Sequence, residues 1–139
     1  MKKITSILFI IYVGFTTNLF AEDSQLLKRI SEGKGDAKIT IIAYESLTCG
    51  HCADFHKNVY PELKKNFIDK GLVRIEFRHF PLDIAAFNAS KIGQCKNDGK
   101  SKVLHTLFVG QKKWAKGKTA EEATKYLKKF LEDEGVNAV

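Results

Sequence analysis

The sequence predicts an α/β fold in which a strand–helix–strand unit is followed by a run of helices. A β-branched apolar run covers residues 39–44, apolar residues then recur every three or four positions, and residues 72–80 alternate between apolar and polar. The remainder has helical periodicity interrupted by glycine. The 139 residues, 44% of them hydrophobic, suffice for one globular domain with its own core.

The first 21 residues predict a secretory signal peptide. Lys2 and Lys3 precede the apolar run 7–13, and Ala21 is a small residue just before the predicted cleavage point. An uncleaved membrane anchor is the alternative, because residues 4–21 are uncharged and nearly reach the roughly 20 residues that cross a bilayer. Polar residues within that stretch favour cleavage, and we therefore expect export to the periplasm.

The charge of the chain argues against a nucleic-acid-binding protein. Removing the leader removes two lysines and no acidic residues, so the formal charge of +7 becomes +5 for residues 22–139. The remaining lysines are spread along the chain, without a dense basic run interleaved with aromatic residues. They are typical of solvated helix faces.

The predicted strand–helix–strand unit starts after a polar lead-in, residues 22–36, for which we expect a frayed helix. The near-continuous apolar run 39–44 predicts a central strand covered on both faces. A helix follows from Cys49 and ends near Gly71, and Pro61 should kink it by deleting a backbone hydrogen bond. The alternation in residues 72–80 predicts a half-exposed or edge strand.

The rest of the chain is predicted to be helical. Thr119 and Glu122 have the spacing of a capping box, which marks the start of the last helix. The other helices are predicted at residues 84–95 and 102–114, with breaks at residues 97–99 and 116–117.

The strongest chemical signal is the C-x-x-C pair Cys49-Gly50-His51-Cys52. A redox cysteine works as a thiolate, and the N-terminus of a helix stabilises an anion, so Cys49 is the predicted nucleophile and Cys52 its buried resolving partner. His51, together with Gly50, is predicted to tune the thiol pKa and so favour the reduced form. No cofactor is expected.

Two other interpretations of the pair stay open, a static disulfide and a zinc or copper site completed by His51 or His56. A structural zinc normally needs four ligands, and no second C-x-x-C pair occurs in the sequence. His79 and His105 belong to no motif and are assigned no role.

Residues 46–53, Ser-Leu-Thr-Cys-Gly-His-Cys-Ala, together with Phe55-His56, resemble the active-site segment of DsbA-like proteins of the thioredoxin-like superfamily, especially the alpha-proteobacterial type. Residues 78–83 and 111–114 resemble later segments of the same family. The resemblance covers residues 37 to 114. It implies a partial thioredoxin-like domain over residues 37–139, with a helical insertion at residues 84–134.

The same resemblance implies a thiol:disulfide oxidoreductase that donates a disulfide to newly exported proteins. Cys49 would be the attacked and attacking sulfur, and Cys52 the resolving one. A membrane redox partner would reoxidise the pair, and apolar side chains around the cysteines would dock substrates. The docking candidates are Leu47, Phe55 and Phe80.

The chain departs from the family pattern in three places. The Gly-His dipeptide between the cysteines differs from the Pro-His of the best-known member and matches protein disulfide isomerases, which leaves the balance of oxidase and isomerase activity open. A β-hairpin, a last helix and a cis-proline facing the cysteines are expected to be missing, so a non-catalytic truncated remnant is an alternative. Cys95 is either a buried free thiol or half of a disulfide whose partner would lie after Val139.

Overall fold

The computed structural model describes residues 27–136, in which a three-stranded sheet is combined with helices. The predicted leader, residues 1–21, lies outside the described residues. The strands are β1 (Ile30–Glu32), β2 (Ile39–Glu45) and β3 (Val73–His79). The helices are α1 (residues 50–68), α2 (Ile84–Gln94), α3 (Lys102–Val109), α4 (Gln111–Trp114) and α5 (Ala120–Asp133).

The predicted strand–helix–strand unit is confirmed. Strands β2 and β3 pair in parallel, in a register that runs from Ile39 opposite Val73 to Glu45 opposite His79, and α1 connects them. Strand β1 pairs antiparallel with the other edge of β3. The frayed helix predicted in the lead-in is therefore wrong at residues 30–32, because the free hydrogen-bonding edge of β3 draws this segment into the sheet.

The predicted positions of the two long strands are exchanged. Strand β3 is the central strand of the described sheet and β2 lies at its edge, where Ile39 and Tyr44 are exposed. The alternation of apolar and polar residues in β3 predicted a half-exposed or edge strand. This was wrong because one of the polar residues, Glu76, is buried and only 2% exposed. Its buried carboxylate is neutralised by arginines, namely Arg29 at 3.5 Å, Arg74 at 3.6 Å and Arg78 at 2.9 Å.

Helix α1 begins directly after Cys49, as predicted, and the effect of Pro61 is visible in its hydrogen bonding. Proline has no N–H to continue the α-helical pattern. Just before it, Phe55–Val59 forms a π-helical turn, in which the N–H of Tyr60 donates to the carbonyl of Phe55. Wide turns of this kind accommodate an interrupted hydrogen-bond ladder.

The four remaining helices match the predicted helical region with one correction. Residues 102–114 form two helices, because the chain turns at Gly110, where an added Cβ would overlap the ring of Phe130. The capping box is confirmed at Thr119, whose side chain accepts a hydrogen bond from the N–H of Glu122. Ile75, Leu107, Phe108 and Trp114 are fully buried in the core that joins sheet and helices.

Between residues 27 and 136, no helix combines the length and the apolar character that a membrane crossing needs.

Candidate active site

Cys49 is the N-cap residue of α1. Its backbone is extended, with φ −73° and ψ 118°, and the N–H of Cys52 donates a hydrogen bond to the Cys49 sulfur over 3.3 Å. The N–H groups of a first helical turn have no partner inside the helix, so they stabilise negative charge on an adjacent atom at the helix N-terminus. The sulfur of Cys49 lies at that position.

The pKa of the Cys49 thiol is lowered. The largest cause is the hydrogen bond between the side chains of Cys52 and Cys49, and the backbone N–H groups of Cys52 and His51 act in the same direction. Partial burial and the negative charge of Glu45 oppose these effects without cancelling them. Because the thiolate is the reactive form, Cys49 is the stronger nucleophile of the pair.

The pKa of Cys52 is shifted in the opposite direction, to about 11. Burial contributes most, followed by the hydrogen bond of its thiol to Cys49 and the negative charges of Cys49 and Glu45. Cys52 therefore stays protonated while Cys49 ionises, and its proton stabilises the neighbouring thiolate. This asymmetry is what a nucleophile and a resolving thiol require.

Gly50 and His51 are both exposed at the first turn of α1. The backbone N–H of His51 contributes to the lowered pKa of Cys49. A tuning role for the imidazole ring stays a prediction. An added Cβ at Gly50 would meet no atom within 4 Å, so lack of space does not explain the glycine.

The cysteine loop, residues 46–49, leads from β2 to the start of α1. Hydrogen bonds to the segment after β3 hold it in place. The Oγ of Ser46 accepts a hydrogen bond from the N–H of Leu82 at 3.3 Å, and Thr48 donates its hydroxyl to Asp83 at 2.6 Å. The other carboxylate oxygen of Asp83 caps α2 by accepting from the N–H of Ala86 at 2.7 Å. Asp83 thus connects the cysteine loop to the first helix of the insertion.

A second fixed point comes from α4. The side-chain amide of Gln111 donates hydrogen bonds to the carbonyl of Leu47, at 2.9 Å, and to that of Cys49, at 2.8 Å. Gln111 is only 7% exposed. The insertion therefore contacts the backbone of the cysteine loop from the protein interior.

A chain of polar side chains runs through the core from the end of β2. Glu45 bonds the Nε2 of His56 at 2.9 Å, the Nδ1 atoms of His56 and His105 are 2.8 Å apart, and the Nε2 of His105 lies 2.9 Å from Glu32. Lys64 forms an ion pair with Glu32 at 3.0 Å. The negative charge of Glu45 opposes the ionisation of both thiols, so this end of the chain of polar side chains acts electrostatically on the cysteine pair.

The predicted docking residues differ in accessibility. Leu47 is fully buried and offers no surface to a substrate, and Phe55 is half-buried. Phe80 is 59% exposed and follows β3 directly. Among the three candidates, Phe80 presents the largest exposed fraction.

Cys95 is a free, exposed thiol directly after α2. The interpretation of it as a buried apolar residue is therefore wrong, because it lies at a helix end and not on the packed face.

The described part of the chain offers no further ligands for a metal site at the cysteine pair. Within residues 27–136, no three His, Cys, Asp or Glu side chains are grouped in a way that could hold a metal ion. His56, one of the two histidines considered as a further ligand, is engaged on both ring nitrogens by Glu45 and His105.

Residues 26–138 match the sequence model of a family described as thioredoxin. The chain belongs to the thioredoxin family. Its predicted resemblance to DsbA-like proteins is confirmed by a crystal structure of Wolbachia pipientis alpha-DsbA1, which superposes with a TM-score of 0.68 at 30% identity over 79% of this chain. The thioredoxin-like α/β fold is thereby confirmed.

Relatives of this thioredoxin-family chain carry names from disulfide chemistry. A Rickettsia bellii protein with the provisional name protein-disulfide oxidoreductase is 36% identical over 85 residues, which is 60% of this chain. Disulfide bond formation protein D of Bacillus subtilis is 38% identical over 45 residues, which is 32% of this chain. The matched regions span 33% of the Rickettsia protein, 20% of the Bacillus protein and 55% of the Wolbachia chain.

The sequence interpretation of this thioredoxin-family chain missed several residues that build the site. Glu45, Asp83 and Gln111 contact or act on the cysteine loop, and His105 completes the buried polar chain. Asp83 and Gln111 fall within the segments that resemble the family, so their position was available as a signal. Nothing in the spacing of His105 or Glu45 points to a partner across the fold.

Proposed function

We propose that this chain is an exported thiol:disulfide oxidoreductase that exchanges a Cys49–Cys52 disulfide with dithiols of exported proteins and favours their oxidation. The observation that carries the proposal is the position of the Cys49 sulfur at the N-terminus of α1, where the N–H of Cys52 donates to it over 3.3 Å. The lowered pKa of Cys49 and the raised pKa of Cys52 agree with this geometry. The names of the relatives from Rickettsia bellii and Bacillus subtilis support the same chemistry.

The exchange starts from the Cys49–Cys52 disulfide. A substrate thiolate attacks the Cys49 sulfur, the Cys49–Cys52 bond breaks, and Cys52 leaves as a thiolate that takes up a proton. A second substrate thiolate then attacks the substrate sulfur of the mixed disulfide and releases the Cys49 thiolate. The substrate dithiol is oxidised to a disulfide, and the pair is reduced to a thiol at Cys52 and a thiolate at Cys49.

Oxidation is the favoured direction because the reduced state gains the stabilised Cys49 thiolate. Each hydrogen bond to that sulfur stabilises the reduced protein relative to its disulfide, which makes the disulfide a stronger oxidant. A low pKa also makes Cys49 a good leaving group when the mixed disulfide breaks. The exposed His51 is assigned an additional tuning role, and exposed Phe80 is proposed as a substrate contact.

Turnover requires that the reduced pair be reoxidised outside the cytosol. The basic and apolar character of residues 2–13 supports export to the periplasm, and a membrane redox partner is the proposed electron acceptor. Fractionation of cells that produce the full chain tests this part. Recovery in the cytosol would contradict the proposed localisation.

The reactivity test uses the full chain with Cys95→Ser, which removes the exposed third thiol. Alkylation of the reduced protein is followed against pH, with Cys49→Ser in the same background as the matched control. We expect one thiol to react with a midpoint clearly below about 8.5, the ordinary cysteine value, and this phase to be absent in the control. A midpoint at or above that value would overturn the proposal.

The direction of exchange is measured with the same protein in glutathione buffers and with a reduced, unfolded protein substrate. An oxidase is expected to have a disulfide that glutathione reduces readily and that introduces disulfides into the substrate. A cooperatively folded chain that transfers no disulfide would instead favour the alternative of a non-catalytic relative.

A further inference from the structure

Gln111 is a buried amide that spans two carbonyls of the cysteine loop. Its Nε2 atom lies 2.9 Å from the carbonyl oxygen of Leu47 and 2.8 Å from that of Cys49. We propose that Gln111 is a positioning residue that holds these carbonyls in the orientation that keeps the Cys49 sulfur beside the N–H groups of the first turn of α1. The inference rests on the proposed exchange function.

The backbone around Cys49 shows how the side chain acts through another residue. The N–H of Cys49 donates to the carbonyl of Ser46 at 3.0 Å, and the carbonyl of Cys49 accepts from the N–H of Ala53 at 3.1 Å. The Gln111 amide is the second donor to that same carbonyl. Because the carbonyl direction fixes ψ of Cys49, it also sets the direction of the Cα–Cβ bond relative to the first turn of α1, where the N–H of Cys52 donates to the Cys49 sulfur.

The chemistry of glutamine suits this task. One amide nitrogen supplies two hydrogens, so a single side chain can satisfy two carbonyls without a charge. With Gln111 only 7% exposed, water cannot easily replace a lost donor, and an unpaired buried carbonyl is costly. A glutamate in the same place would direct carboxylate oxygens at two carbonyl oxygens.

The support behind Gln111 is rigid. The neighbouring Gly110 packs against the Phe130 ring, and Trp114, at the other end of α4, is fully buried. The indole N–H of Trp114 donates to the carbonyl of Leu107 at 2.8 Å. These contacts hold α4, and with it the side-chain amide of Gln111, in place against the core. The geometry of the cysteine loop therefore depends on the helical insertion.

The test compares Gln111→Met and Gln111→Asn with Gln94→Met, all in the full chain with Cys95→Ser. Gln94 is the matched control, since its amide also donates to a backbone carbonyl, that of Lys28 at 2.8 Å, which lies outside the loop that leads to Cys49. The readout is the pH midpoint of Cys49 alkylation. For Gln111→Met we expect a rise of about half a pH unit, which is roughly a three-fold smaller acid dissociation constant of the thiol, and a smaller rise for Gln111→Asn.

The control should keep the wild-type midpoint. Folded Gln111 variants with an unchanged midpoint, or an equal shift in Gln94→Met, would overturn the positioning role. If the reference protein itself has an ordinary midpoint, the proposed function fails instead, so the two failures are distinguishable.

A measurement on the unsubstituted chain covers the case in which the variants do not fold. The two side-chain amide protons of Gln111 should exchange slowly with solvent in NMR spectra, because both are hydrogen-bonded inside the protein. Rapid exchange would contradict the inference.

Discussion

The Nδ1 atoms of His56 and His105 lie 2.8 Å apart in the protein interior, and each imidazole is bonded at its other nitrogen to a carboxylate. The three hydrogen bonds of this chain need three protons. The two imidazole rings and the two carboxyl groups share these protons. The chain ties β1, β2, α1 and α3 together and is a polar part of the core.

Replacing His105 should therefore destabilise the fold. His105→Leu removes the partner of His56, which is 3% exposed, and a donor to Glu32. Leaving buried polar groups unpaired typically costs about 1–3 kcal/mol each, so we expect a loss of roughly 2–4 kcal/mol in the free energy of unfolding. Urea denaturation measures it.

His51→Leu is the matched control for that substitution, because His51 is exposed. It should change the free energy of unfolding by less than about 0.5 kcal/mol. An equal loss in both variants would contradict a structural role of the buried histidine pair.

Glu32 should make the fold sensitive to acid. Burial by itself would raise its pKa, but hydrogen bonds from His105, Ser101 and Lys64 outweigh burial and hold the pKa well below its usual range. A carboxyl with a depressed folded-state pKa contributes stability above its unfolded pKa of 4.5, and that contribution is lost as the pH falls toward the folded value. Glu32→Gln should thus lose less stability than the wild type between pH 5 and about pH 3.

Urea midpoints across that pH range measure the difference between the two proteins. Glu62→Gln is the control, since Glu62 is exposed and its carboxylate accepts a hydrogen bond from Asn66 on the surface of α1. Parallel pH curves for the wild type and Glu32→Gln would show that Glu32 is not a source of acid sensitivity.

The sequence was most informative where periodicity and local chemistry decide the structure. The cysteine pair at the start of α1, the interruption near Pro61 and the cap at Thr119 depend on neighbours within a few residues, and all three were predicted. The α/β class followed from the same local patterns.

The features that the sequence did not predict depend on contacts between distant segments. The buried carboxylate of Glu76 is paired with Arg29, which precedes β1, and with Arg74 and Arg78 of its own strand. His105 contacts His56 across 49 positions and Gln111 contacts Cys49 across 62. The family resemblance marks the segment that contains Gln111, but no single segment carries a signal for the partner that a residue contacts across the fold.

The ion pairs of Glu76 should contribute to the stability of the fold. Its carboxylate is buried in the central strand of the described sheet and faces Arg29, Arg74 and Arg78. Glu76→Gln keeps the shape but leaves the arginines without their counter-charge. We expect a loss of about 2 kcal/mol, which is less than the roughly 3–5 kcal/mol for a fully buried ion pair because the arginines are partly solvated.

Thermal or urea unfolding of Glu76→Gln is compared with Asp133→Asn. Asp133 pairs with Lys129 on the exposed surface of α5 at 3.1 Å, and such pairs contribute about 0–1 kcal/mol. If both variants lose the same small amount, Glu76 is no more important than a surface charge.

Gly110 should not tolerate a methyl group. An added Cβ would overlap the ring of Phe130, which is 4% exposed and fixed in the core, so neither side can move without disturbing the packing. Overpacking of a core typically costs about 1–3 kcal/mol, and we expect Gly110→Ala to lose that much. Because Gln111 is the next residue, the pH midpoint of Cys49 alkylation should rise as well.

A compensating substitution separates this clash from a general effect of alanine. Phe130→Leu removes the ring atoms that the new methyl would meet, so in the double variant Gly110→Ala/Phe130→Leu the alanine should cost less than it does alone. The double-mutant cycle, measured by urea denaturation, should give a favourable coupling of about 1 kcal/mol or more. If the two losses in the free energy of unfolding simply add, the Phe130 ring is not the reason that glycine is required at position 110. The break between α3 and α4 would then have another cause.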